Sequence, residues 1–281
     1  MPIDQSKLTR LVETLPAFPE SAQKIIALTS RVDCSPKQLV KIIEHDPVLT
    51  MKVLKLVNSA YFGLSREVKS VNHAVVYVGI NTIKNLAISV ATTGTLPKQN
   101  AAGLDTRALW YHSLKVGVLA KILAEEHGTP STQTVNYFVG GLLHDIGRLL
   151  VAHFFPDEYK SMLSHINASQ DSILESEALV LGITHAEIGA MVSEHWQLPA
   201  ELQHCIRHHH STQAELLVNA PLTMAVNAAN LLIHLKDEPE KITIPECILQ
   251  WLGAPVEDVL ARLTTLENEV DKAVSFIEIA G

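Results

Sequence analysis

The stretch Gly140-Gly141-Leu142-Leu143-His144-Asp145-Ile146-Gly147-Arg148 sets a histidine and a carboxylate side by side in an apolar, glycine-rich run. Apolar residues around it recur at helical rather than alternating spacing, so the stretch reads as part of a helix. On such a helix Asp145 shares a face with Phe138, Leu142 and Leu149, where an uncompensated carboxylate is very costly. His144 points about 100° away around the axis. A metal straddling that edge takes an imidazole nitrogen and a carboxylate oxygen together. A buried salt bridge to a neighbouring cation accounts for Asp145 equally well. The three glycines let another helix or a ligand approach the backbone closely.

Working outward, almost every apolar segment repeats the helical period, and no strand–helix alternation, phosphate-binding glycine loop or internal repeat interrupts it. Ser35-Pro36 and Asp46-Pro47 are cap-then-proline helix starts, with Ser70 and Asn81 as further caps. The apolar period vanishes between Thr92 and Thr106, where Gly94, Pro97 and Gly103 gather. That is the domain boundary. The expectation is an all-α protein: a helical N-terminal lobe over residues 1–100, packed on a helical lobe over 101–281 that ends in extension helices. Loops are expected near 128–133, 155–172 and 236–245.

Histidine occurs fourteen times in the 281 residues, and only position separates ligands from solvated or core imidazoles. His112 falls on the Leu109/Val116/Leu119/Leu123 stripe; taken alone it fits a core histidine bonded to backbone better than a ligand. Thr184 and Glu187 have capping-box spacing, which puts His185 in the first turn of a helix. His209 continues the Leu202/Cys205/Ile206 face of the segment that ends in His208-His209-His210. A solvated helix end explains that triplet too, but not its inward register. Together His112, His144, Asp145, His185 and His209 form the ligand inventory of a first-row divalent metal site. Two metals sharing Asp145, or one metal with outer histidines, both fit.

Composition narrows the alternatives. Twenty-two basic residues against thirty acidic ones give a net charge of −8, which argues against a general nucleic-acid binder. No apolar run approaches the roughly 18 residues of a membrane helix. Cys34, Cys205 and Cys247 are odd in number and lack metal-type spacing. These features describe a reduced, cytoplasmic protein.

The run Leu143-His144-Asp145-Ile146-Gly147-Arg148 resembles the HD superfamily of metal-dependent phosphohydrolases, and the whole chain resembles the HDOD proteins, a bacterial group of HD-related signalling domains. The match is carried by Leu15-Pro16-Ala17-Phe18-Pro19, by Glu44-His45-Asp46-Pro47 through Asn58-Ser59-Ala60-Tyr61-Phe62-Gly63, and by Ser70 through Asn85. Trp110-Tyr111-His112-Ser113 and Gly182 through His185, followed by Trp196-Gln197-Leu198-Pro199, extend it. It covers about residues 12–234. The resemblance implies that His112, His144 and Asp145 match the core metal ligands, while the late aspartate of the catalytic pattern falls on Asn230. Asn still offers a carbonyl oxygen but removes a negative charge. His185, His209 and His210 resemble the additional histidines of the two-metal HD-GYP phosphodiesterases. Arg148 stands where those enzymes commonly have lysine, and their Gly-Tyr-Pro signature is absent.

Two functions follow from the resemblance. One is an HDOD signalling or regulatory protein with a partly retained metal site, acting through other signalling proteins or by sensing a small phosphorylated ligand in the cleft between lobes. The other is a metal-dependent phosphohydrolase acting on a phosphomonoester or phosphodiester, such as a nucleotide. There His112, His144, Asp145, His185 and His209 hold one or two ions of iron, manganese or zinc, and Asn230 offers its oxygen. Asp145, Arg148 and His210 carry the chemistry: Arg148 neutralises phosphate charge and His210 orients water or binds metal.

Overall fold

A computed structural model describes residues 2–29, 35–169, 172–237, 242–262 and 266–280. All regular structure among them is helical. The N-terminal half holds α1 (Gln5–Thr14), α2 (Glu20–Thr29), α3 (Pro36–Glu44), α4 (Pro47–Val57), α5 (Val71–Val78) and α6 (Ile80–Thr95). After a connection without helix come α7 (Thr106–Glu126), α8 (Ser131–Leu143), α9 (Ile146–Phe154), α10 (Pro156–Ser169) and α11 (Ile173–Val180). Next are α12 (His185–His195), α13 (Ala200–His208), α14 (Ala214–Leu217) and α15 (Pro221–Asp237), and the chain ends in α16 (Glu246–Leu252), α17 (Val256–Arg262), α18 (Leu266–Ala273) and α19 (Ser275–Ala280). No single helix among the described residues is long and apolar enough to cross a membrane. Cys34 lies outside the described residues; Cys205 and Cys247 are free thiols.

Local chemistry sets many helix ends. The Asp46 carboxylate accepts from the Leu49 amide at 2.9 Å, and Asp105 does the same for Ala108 at 2.9 Å. Thr184 and Glu187 close a full capping box at the start of α12. Ser35 sits at its cap position without a side-chain cap bond. Asn81 is not a cap: it is the second residue of α6, and Gly79 takes the cap position with φ of 84°, a conformation side chains resist. Residues 156–169, expected as loop, form the fourteen-residue helix α10. Its surface is mostly polar, so only the narrow stripe through Tyr159 and Met162 is buried and the apolar period is faint.

The long helix α7 is the spine, and α8 and α15 pack along it. α7 and α8 meet through glycine: a Cβ on Gly141 would lie 2.4 Å from the Gly117 Cα. The second close approach joins α9 to α12, where a Cβ on Gly147 would lie 1.8 Å from the His185 carbonyl oxygen. Both chain ends cross between halves. The Ile3 amide donates to Leu181 at 2.7 Å, and Phe18 stacks on Trp196 at 5.3 Å. At the other end Phe276 of α19 meets Tyr61 and Phe138.

Candidate metal centre

Five segments, distant in sequence, deliver polar groups to one buried place. His112 comes from the middle of α7, and His185 is the first residue of α12. His209 is the C-cap of α13, with His210 directly after it. Asn230 and His234 lie one turn apart on α15. His144 and Asp145 do not ride on a continuous helix. They occupy the turn between α8 and α9, with Asp145 at φ −98°, ψ 14°, so a helix break sets their directions.

Around Asp145 two donor groups share one carboxylate. Its Oδ1 lies 3.1 Å from His185 Nε2 and 3.5 Å from His209 Nε2. The His185 Nε2 is 3.2 Å from the Nε2 atoms of both His209 and His210. Ligands about 2.0–2.2 Å from a divalent ion sit about 3.0–3.5 Å from their neighbours, so this spacing suits one cation. On the other side Asp145 Oδ2 lies 3.7 Å from His144 Nε2. There His112, His144 and Asp145 offer three ligand atoms within 4.8 Å of one another.

The outer bonds aim the lone pairs inward. His144 Nδ1 donates to the Gly141 carbonyl at 2.6 Å, and His209 Nδ1 to the Ile206 carbonyl at 2.8 Å. His185 Nδ1 donates to Glu177 at 2.7 Å. A carbonyl or carboxylate only accepts, so each proton sits on Nδ1 and each Nε2 faces the centre, the arrangement of metal-binding histidine. His112 Nε2, His144 Nε2 and Asn230 Oδ1 are buried without a hydrogen-bond partner. Each such atom costs about 1–3 kcal/mol, and three at one point are accounted for together by a cation. The residues therefore fit a metal.

Charge supports the same picture. Burial alone would raise Asp145, but His144, Arg148, His185 and His209 hold it well below the usual carboxylate range. Burial pushes His112 down to about 4 and holds His144 and His210 well below the usual value for histidine. For His185 burial also acts downward, yet Glu177 and Asp145 outweigh it and raise the imidazole to about 9. An ionised carboxylate beside neutral His112, His144 and His210 is the state that binds metal, and His185 would give up its Nε2 proton when an ion enters.

Every site residue expected from the sequence converges here. Two further residues belong with them. Glu177, 1% exposed, fixes the His185 ring; it lies eight residues upstream on the short helix α11, and no local pattern marks it. His234 packs on His112 with ring centroids 4.9 Å apart, and its position one turn after Asn230 was the available signal. The centre opens into a cavity of about 690 Å³ lined by α10, α11, α15 and neighbouring loops, all in the second half of the chain. Arg148 lies at its mouth, with Nη1 3.1 Å from Asp145 Oδ2.

The HDOD domain family model matches residues 15–212. An uncharacterised protein of Treponema pallidum (strain Nichols) is 28% identical over 253 residues, covering 89% of this chain and 48% of the relative. The chain thus spans about half the length of that relative. A candidate phosphohydrolase from Shewanella amazonensis SB2B superposes with a TM-score of 0.75 at 23% identity, covering 99% of this chain and 100% of the other. A candidate signal transduction protein from Marinobacter aquaeolei VT8 gives 0.74 at 24%, covering 99% and 65%. At these identities the likeness establishes the fold alone.

Proposed function

We propose, from the premise that the chain belongs to the HDOD domain family, that it is a signalling protein whose second half keeps a metal-dependent phosphoester site. The observation that carries this reading is the convergence of Asp145, His185, His209 and His210 beside a cavity that also holds Arg148. A divalent cation bound there would supply Lewis acidity and lower the pKa of water, so that hydroxide is available to displace the ester's alkoxide, which leaves as the alcohol.

The protein's own groups do the rest. His112, His144 and Asp145 would hold one ion, and Asp145, His185, His209 and His210 a second. Arg148 faces the cavity with its side chain 23% exposed and binds a phosphoryl oxygen, neutralising its charge. His210 lines the same cavity and orients the attacking water when it is not itself a ligand. Glu177 keeps the His185 lone pair pointed inward. The product or the bound ester would then be read by other signalling proteins.

A second reading, ligand sensing without turnover, draws on Asn230, which lacks the charge of an aspartate. Elemental analysis of untagged protein purified without added metal is the deciding experiment, paired with hydrolysis of p-nitrophenyl phosphate and bis(p-nitrophenyl) phosphate. One or two equivalents of iron, manganese or zinc, with metal and hydrolysis both lost in His144→Ala, are expected. Metal without hydrolysis selects the sensing reading. Protein that takes up no metal even when it is supplied sinks both.

A further inference from the structure

The cavity wall has a chemistry of its own. Beyond the metal ligands its apolar part is formed by Leu163, Ile166, Ile173, Leu174, Leu231 and Ile242, all half-buried, while Ser211, Thr212, Asn227 and His234 belong to its polar lining. Arg148 is the one permanently charged cation among the described lining residues. Its side chain keeps 23% of its surface exposed, which leaves part of the guanidinium accessible to an anion in the cavity. The other charged group on the wall away from the centre is Glu175, whose carboxylate accepts from Ser172. No Phe, Tyr or Trp occurs among the described lining residues.

Each feature limits the ligand. A phosphoryl group needs positive charge around it, and here that charge sits at one end. A second phosphate would find no further permanent cation among the described lining residues, only neutral polar groups, aliphatic side chains and a carboxylate, and a buried charge without a countercharge is heavily penalised. Recognition of bases by stacking uses aromatic faces, and apart from the histidines at the centre the described lining offers no Phe, Tyr or Trp ring but mainly aliphatic surface. About 690 Å³ is ample for a compact organic molecule and lies within the usual range of about 300–1,000 Å³ for ligand sites.

We propose that this site takes a ligand with a single phosphoryl group carried on an apolar aliphatic body, and that it discriminates against polyphosphates and cyclic dinucleotides. The inference rests on the metal–phosphoester reading above and adds the substrate class. Calorimetric titration of the manganese-loaded full chain tests it, with inorganic phosphate, n-hexyl phosphate, pyrophosphate and a cyclic dinucleotide as probes. Each methylene removed from water strengthens binding about fourfold, so burial of even part of the hexyl chain gives n-hexyl phosphate at least a tenfold advantage over inorganic phosphate. That ratio, measured within one protein, should fall toward one in Ile166→Asn and in Leu174→Asn. Pyrophosphate and the cyclic dinucleotide should bind no more tightly than phosphate. The inference is overturned by tighter binding of either, by the absence of a hexyl advantage, or by a ratio that survives both substitutions. Failure of all four probes to bind metal-loaded protein would instead overturn the phosphoester reading, and this inference with it.

Discussion

The two sides of Asp145 are built differently. Toward α12 and α13 four donors gather, and the carboxylate of Glu177 and the Ile206 carbonyl fix two of the histidine rings. Toward α7 and α15 only His112 and His144 join Asp145, and the position that could add a charge holds Asn230. One half-site has a full ligand set with anionic support behind it; the other is short by one negative charge. Both depend on glycine contacts between helices, Gly147 against α12 for the first and Gly141 against α7 for the second. A single protein therefore carries two candidate half-sites of one design, which differ in histidine count, three against two, and in the anion behind the first.

The most damaging way to break the comparison is Gly147→Ala. The new Cβ would overlap the His185 carbonyl, so α9 and α12 must separate, costing about 3 kcal/mol or more and dispersing the four-donor side. Thermal unfolding should show a lower Tm, and elemental analysis a selective loss of the tighter-bound metal. Gly141→Ala should destabilise comparably but act on the His112–His144 side. The reverse pattern of metal loss would show the two helix contacts to be assigned to the wrong half-sites.

Ligand removal separates the halves without disturbing their scaffolding. His209→Ala should weaken the tighter site by more than the about 100-fold upper range for losing an outer partner, while His112→Ala empties the weaker site first. Equal loss of both ions in either variant would show a single coupled centre. Glu177→Gln keeps the shape but removes the anion behind His185, and metal affinity there should drop by about 10–100-fold, seen in competition with a chelator. Asn230→Asp has the smallest effect and the opposite sign. Adding the charge should tighten the weaker site by about tenfold, the equivalent of about 1.4 kcal/mol, and leave the other unchanged. Unchanged affinity at the weaker site would mean that Asn230 does not face the ion.

Much of this was legible along the chain. Asp46, Ser70 and Thr184 mark helix starts because a cap bond spans only three residues. The inward register of His112 and His209 followed from the apolar residues on their own helices. Other features were hidden. The break at His144-Asp145 sits inside an apolar period that runs on past it, and α10 buries too narrow a stripe to declare itself. Glu177 is invisible locally because its partner, His185, lies on another helix.

The sequence by itself determined the helical class, several helix starts and the candidate ligand types, since each depends on side chains within a turn or two of one another. Tertiary structure alone decided that Asp145 serves two half-sites, that Glu177 stands behind His185, and that the cavity opens within the second half of the chain. Those facts depend on how closely separate helices approach. That approach is set by pairs such as Gly117 with Gly141 and Gly147 with His185, whose meeting no local pattern encodes.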